Sequence, residues 1–405
     1  MSGPAGGWGE ARYALASLGA HLGFMPLLVL LLPRRVEALS AQPEIDLSIL
    51  LVIGGLTASG AHIAAGAWSD RWLARRGTRR GLIAIGTAAL AATYLLFAAA
   101  ETLLLLGAAL VTFQLALNVM FAPLGALLAD HVPDTRKGRV AGMLNAALPF
   151  SYGGVSVLGW LFPRDAAGAF LLLAIAVPLL MLPLLLRWPF AGLVSRAEGD
   201  VAIADITRWH RRDFMLAWWA RLFVQAGAAL VTGYIFLYLT ALQGRLGTPP
   251  GGTATDFLAG ISLAALCCSF VAAIGGGWLS DRLGRRKAPL CIFALALAAC
   301  LLAMGQGGGW LVLAVAYPLF GGFLAAFLAI DAALVGQLLT GHPSRGTLLG
   351  VMNLTNTLPG VMIPAFALVL LDGSSIAAAF DTLLLGVAIA AALAGILVLA
   401  IRSQR

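Results

Sequence analysis

Apolar runs of membrane length, broken by short charged or Gly/Pro-rich segments, follow one another along the whole chain. They cover residues 12–33, 47–68, 81–100, 102–128, 140–162, 167–186, 214–241, 256–279, 288–305, 310–338, 347–371 and 376–401. Within each run the apolar positions are continuous rather than alternating, so the strands of a membrane barrel are excluded. A run of about 20 residues, rising 1.5 Å per residue as a helix, crosses about 30 Å of hydrocarbon. In lipid a lone segment must satisfy its own backbone polar groups, which a helix does and a single strand does not. The pattern therefore predicts an all-α membrane protein of twelve transmembrane helices.

The longest charged stretch, Arg187 to Asp213, falls after the sixth run and divides the chain into an N-terminal six-helix half (1–186), a linker (187–212) and a C-terminal six-helix half (213–405). Its arginines, with Trp188 and Trp209, suit either a segment lying along lipid headgroups or a plain solvated strap. Composition agrees with the pattern: 60% of residues are apolar and 11% charged, with a mean hydropathy of +0.93, beyond what a soluble core of this size needs.

The net charge of +8 is scattered between the runs rather than gathered in one patch, so it reads as membrane topology and not as a nucleic-acid surface. With both termini placed in the cytoplasm, Arg34, Arg35, Arg164 and Arg245 fall in outer loops and Arg221 within a span. The other 21 of the 26 Lys and Arg residues are then inside, a strong positive-inside bias that places the chain in the inner membrane. Residues Met1 to Arg12 lack the basic start of a cleavable signal, so the first run is retained as a span. All four cysteines (Cys267, Cys268, Cys291, Cys300) lie within predicted spans, where a free buried thiol is expected rather than a disulfide.

The two halves echo each other. Gly66, Trp68, Ser69, Asp70 and Arg71 close the second span and are followed by Gly77, Arg79 and Arg80; six spans later Gly276, Trp278, Ser280, Asp281, Arg282, Gly284, Arg285 and Arg286 repeat the chemistry. Gly138, Gly142 and Asn145 open the fifth span with the spacing that Gly346, Gly350 and Asn353 use in the eleventh, and Leu148-Pro149 and Leu358-Pro359 follow. Two echoes in the same order predict two pseudo-symmetric halves.

These residues resemble the major facilitator superfamily, whose hallmark is an acidic-basic loop between spans two and three that is often repeated between spans eight and nine. The better copy here is Asp281-Arg282-Leu283-Gly284-Arg285-Arg286; the first copy, Asp70-Arg71 with Gly77-Thr78-Arg79-Arg80, has a longer spacer. That spacing, with Val231-Thr232-Gly233-Tyr234, Asp331-Ala332-Ala333-Leu334-Val335 and Asn356-Thr357-Leu358-Pro359, is similar to the sucrose and glycoside-cation symporter branch. Leu148-Pro149, with Gly153-Gly154 only later, departs from the Gly-Pro pair of drug-proton antiporters. The resemblance implies alternating access, with a substrate site between the halves near the midplane and a proton or sodium gradient as energy source.

The resemblance also implies a gate at the cytoplasmic ends, built from Asp70, Arg71, Arg79, Arg80, Arg139, Asp281, Arg282, Arg285 and Arg286. Asp70 would face the start of span eleven near Gly346, and Asp281 would face the start of span five near Gly138, with Arg139 sharing the contact. Acids there suit the positive ends of the odd-numbered helices. The alternative is that these charges set topology and bind anionic lipid.

Ionisable groups at bilayer depth are functional candidates because burying them is costly. Arg221 lies about 12 Å past Asp213 along span seven, and Asp331 about 15 Å before Gly341 along span ten, so their depths match. Spans seven and ten line the central cavity in the superfamily, which lets the two pair as a substrate or proton site; a permanent structural ion pair is the alternative. Gln225, one turn beyond Arg221, joins them. In the first half, Gln114 and Asn118 share one face of span four and His21 sits midway along span one, as contacts for a polar solute or as packing groups. His62 reads as structural, and Asn353, Thr355 and Asn356 as packing or gate residues. No phosphate-binding loop, His/Cys metal cluster or Ser-His-Asp set is present in the sequence, so no cofactor and no enzymatic reaction is expected. The expected partners are a small-molecule substrate, a coupling proton or sodium ion and membrane lipids, with no nucleic acid, and the chain is expected to act as a monomer. The competing reading is a non-transporting member of the same fold that assists assembly or delivery of a pigment, lipid or partner protein; paired intramembrane charges favour the porter.

Overall fold

A computed structural model describes residues 7–132, 140, 143–144, 146–164, 166–190, 211–283, 285–306, 308–339, 345–371 and 376–402. Each predicted span corresponds to a helix. Span one is Gly7–Pro26 continued through a π-helical turn, Leu27–Leu31, into Leu32–Leu39. Spans two, three and four are Pro43–Arg76, Arg80–Ala99 and Leu103–His131. Span five is described as a helix over Ala147–Leu161, and span six is Ala166–Leu186. Spans seven to ten are Arg211–Leu246, Ala254–Leu283, Lys287–Gly305 and Trp310–Leu338. Span eleven is two helices, Arg345–Thr357 and Pro359–Leu371, and span twelve is Ile376–Leu399. Among the described residues, 11 helices are long and apolar enough to cross a membrane; the fifth, described over 15 residues, falls short of that length.

Several helices outrun their apolar runs because charge at a helix end caps it rather than stopping it. Span two, expected over 47–68, begins with Pro43 and carries Glu44 and Asp46 in its first turn and Arg75 and Arg76 in its last, each matched to the helix dipole. It stops at Gly77, whose φ of 69° is easily reached without a side chain and whose N–H donates to Leu73 O at 2.8 Å. Span eight starts in a reciprocal cap: the Asp256 N–H donates to Thr253 Oγ1 (3.1 Å) while the Thr253 hydroxyl donates to Asp256 Oδ2 (2.6 Å). Span eleven, expected as one run, is interrupted at Leu358 because Pro359 has no N–H and disfavours helical backbone before it.

The chain folds as two compact units, Met1–Arg196 and Ala197–Arg405. In the first, span one packs on five and six, span three on four and six, and span two on four. In the second the same pairings recur six spans later: seven on eleven and twelve, nine on ten and twelve, eight on ten. The halves are thus alike in packing as well as in motif. Small residues permit the closest approaches. A methyl group added to Gly86 would lie 2.5 Å from Met120 N, so spans three and four touch backbone to backbone. Large aromatics such as Phe97, Phe113 and Phe170 fill the first core, whereas Leu104, Leu311 and Val369 leave 83%, 78% and 74% of their surface exposed, as lipid contact requires.

Two arginines near the end of span one, Arg34 and Arg35, have local work at helix ends. Arg34 donates to Phe162 O (2.7 Å), at the end of span five, and Arg35 to Ala100 O (2.5 Å), at the end of span three. Each places a cation on helix carbonyls that lack an internal donor.

Candidate functional site

In the second unit, Arg221 on span seven donates from one terminal nitrogen to Asp331 Oδ2 on span ten at 3.1 Å. The Asp331 side chain is 3% exposed and that of Arg221 19%. The other terminal nitrogen of Arg221 donates to Asn356 Oδ1 (3.3 Å), which also accepts from Gln225 Nε2 (2.7 Å). With its oxygen taken by two donors, Asn356 turns its amide nitrogen to Asn353 Oδ1 (2.8 Å). One turn earlier, Trp218 Nε1 donates to Val351 O at 2.9 Å and pins span seven to span eleven. Three spans therefore converge on one guanidinium. The second oxygen of Asp331 accepts no hydrogen bond among the described residues, and Arg221 Nε is buried without a partner there. A carboxylate at bilayer depth with one oxygen paired and one open can take up a proton or a solute donor.

In the first unit the polar residues lie on spans one, two and four. Asn118 donates to Gln114 O (2.9 Å), which leaves its side-chain oxygen to accept from His62 Nδ1 at 3.0 Å. His21 donates from Nδ1 to Ser17 O (2.8 Å), and its ring lies against Phe121 and Phe24 at centroid distances of 5.5 and 5.6 Å. Gln114 and Asn118 are buried, at 8% and 7% exposure. The expected candidates His21, Gln114 and Asn118 thus share a region with His62, which the sequence marked only as structural.

At the ends of spans two to four, Arg79 is buried and donates to Asp70 (2.9 Å), Asp130 (2.7 Å) and the Ser69 hydroxyl. Asp70 is 74% exposed. It finds this cation within its own unit, a pairing the sequence did not predict. Arg71 and Arg80 are exposed. In the second unit Arg286 donates to Gln337 Oε1 (3.0 Å), Arg282 stacks over Trp278 at 5.1 Å, and the exposed Arg285 accepts through its backbone oxygen from Ser280 (3.4 Å). Arg139, Gly138 and the Asp281 side chain lie outside the described residues. Asp130 escaped the sequence reading, although it stands one residue before the end of span four just as Gln337 stands one before the end of span ten. That shared position was the signal.

The profile of the Major Facilitator Superfamily matches residues 13–364. No curated protein matches the chain. Among solved structures the chain is similar to a POT family transporter in complex with a thioalcohol-conjugated peptide (TM-score 0.74, 14% identity, 97% of this chain and 95% of that one). It is also similar to the nucleoside transporter NupG (TM-score 0.71, 13% identity, 97% and 99%). A third is a bacterial homologue of the human lysosomal transporter Spinster, inward-facing and unoccupied (TM-score 0.64, 14% identity, 99% and 96%). At such identities the likeness is one of fold.

Proposed function

Because the chain belongs to the major facilitator superfamily and is a multi-pass membrane transporter, we propose that it moves a small solute across the inner membrane by alternating access, coupled to protons at Asp331. The observation that carries the reading is the buried Asp331–Arg221 pair, 3.1 Å apart and braced by Asn356 and Gln225. Deprotonated, Asp331 neutralises Arg221 and the site carries no net charge. Protonated, it releases one guanidinium nitrogen and leaves the site positive. The two forms differ by a full charge at bilayer depth, where charge is costly, so the proton can bias a two-state element as coupled transport needs. Asn356 and Gln225 keep Arg221 in place in both forms. The arginine then works as a fixed electrostatic partner and not as a mobile side chain.

Proteoliposomes screened by counterflow with sugars, amino acids and amphiphilic drugs identify the transported probe, after which an imposed pH gradient tests coupling. Asp331→Asn is expected to retain exchange of that probe but to lose accumulation driven by the gradient. Gradient-driven accumulation that survives in Asp331→Asn removes Asp331 as the proton carrier, and accumulation that follows a sodium gradient instead assigns the coupling ion to sodium.

A further inference from the structure

The hydrogen bonds of the first unit determine which nitrogen of each histidine carries the proton. Ser17 O is a carbonyl and only accepts, so His21 must hold its proton on Nδ1 at 2.8 Å. Asn118 turns its amide nitrogen to Gln114 O and its oxygen, which only accepts, to His62, so His62 likewise holds a proton on Nδ1. In the neutral form of each ring Nε2 is then a bare acceptor, and neither Nε2 has a hydrogen-bond partner among the described residues. His62 is about 21 Å along its helix from Arg76 and His21 about 21 Å from Gly7, so both lie well inside their membrane spans. A bare acceptor held against hydrocarbon is costly, so each must meet water or a solute donor.

The same face of span four joins the two. Asn118 and Phe121 are three residues apart and lie on one side of the helix. His62 reaches the first from span two and His21 the second from span one, while Phe24 and Phe121 close an aromatic corner with His21, centroids 6.3 Å apart. Span one is also tied to this helix by the Tyr13 hydroxyl, which donates to Leu124 O at 2.7 Å. The region thus offers two acceptors and a half-exposed aromatic wall, and none of the residues named in it is charged.

The geometry points to a solute subsite in the first unit in which His21 Nε2 and His62 Nε2 accept hydrogen bonds from a neutral ring-bearing solute whose ring packs on Phe24 and Phe121. The chemistry is that of a ring carrying hydroxyl or N–H donors, shared by nucleosides and aryl glycosides. An anion would meet two lone pairs, and a solute without donors would leave both nitrogens unsatisfied. This inference deepens the transporter reading by naming the substrate class, but the binding it predicts can be measured without transport.

Equilibrium binding of uridine and of 4-nitrophenyl-β-D-glucoside to the full chain in nanodiscs tests it. One of the two probes is expected to bind saturably, with Kd raised about tenfold by His62→Phe and by His21→Phe, which keep a ring and remove the acceptor. His62→Gln, whose side-chain oxygen can stand near the place of Nε2, is expected to stay within about threefold of the parent. His21→Phe serves alone if His62→Phe does not fold. Absence of saturable binding by either probe, or binding that no Phe variant weakens, overturns the subsite. Histidine-dependent binding without counterflow in liposomes upholds the subsite and defeats the transporter reading. Counterflow of tetraphenylphosphonium or glutamate with no binding of the ring probes does the reverse.

Discussion

Arg79 is the one arginine among the described residues that is fully enclosed, and it spends its guanidinium on Asp70, Asp130 and Ser69 at once. Arg79→Leu leaves Asp130, itself 22% exposed, without its cation and should lower stability by about 2 kcal/mol, read as a fall in thermal unfolding temperature in detergent. Asp130→Asn should cost under about 1 kcal/mol, because an amide still accepts and Gln337 already does this for Arg286 in the other unit. A loss as large as that of Arg79→Leu would show that the charge, and not the acceptor, matters there. The contrast also shows what could be read beforehand. Arg221 and Asp331 were legible because an ionisable residue in an apolar run is conspicuous whatever its partner. Asp130 was not, because an acid at the edge of a run looks like any solvated helix end until Arg79 is seen folded over it.

Whole helices carry their own instructions at their ends. Thr253 with Asp256, Pro43 with Glu44, and Gly77 fix where spans eight and two begin or stop, and all can be read locally. Arg34 and Arg35 cannot, since the carbonyls they cap are 128 and 65 residues away. Replacing Arg35 by Ala should destabilise by about 1 kcal/mol through loss of a cation at a helix C-terminus, whereas Arg35→Lys should recover most of it; equal losses in the two variants would argue against charge at the helix end. Packing sets a harsher limit at Gly86. Any side chain there meets the backbone of Met120, so Gly86→Val should prevent accumulation of folded protein while Gly60→Val, with open space around it, should not. Yield of monodisperse protein after purification separates the two.

For the molecule as a whole, the expected orientation makes a direct prediction. A cysteine introduced at Thr78, in a background lacking the native cysteines, should react with a membrane-impermeant maleimide only in opened cells, and one at Arg164 in intact cells; the opposite pattern would invert the topology drawn from basic residues. The sequence by itself determined the solvent, the helical class and the repetition of the halves, because each follows from the composition of contiguous stretches: an apolar run of membrane length has almost no alternative to a helix, and a motif repeated in the same order implies a repeated scaffold. Apart from the Arg221–Asp331 pair, which matched depths and the family resemblance had suggested, tertiary structure decided which polar groups meet. Arg79 lies nine residues from Asp70 but 51 from Asp130, and Arg221 lies 135 from Asn356. The bonds that orient His21 and His62 likewise depend on where a carbonyl or an amide from the same or another helix happens to fall. Hydrophobicity acts through the summed surface of a segment and is written along the chain. A hydrogen bond acts within about 3 Å, and that distance exists only once the helices have been set side by side.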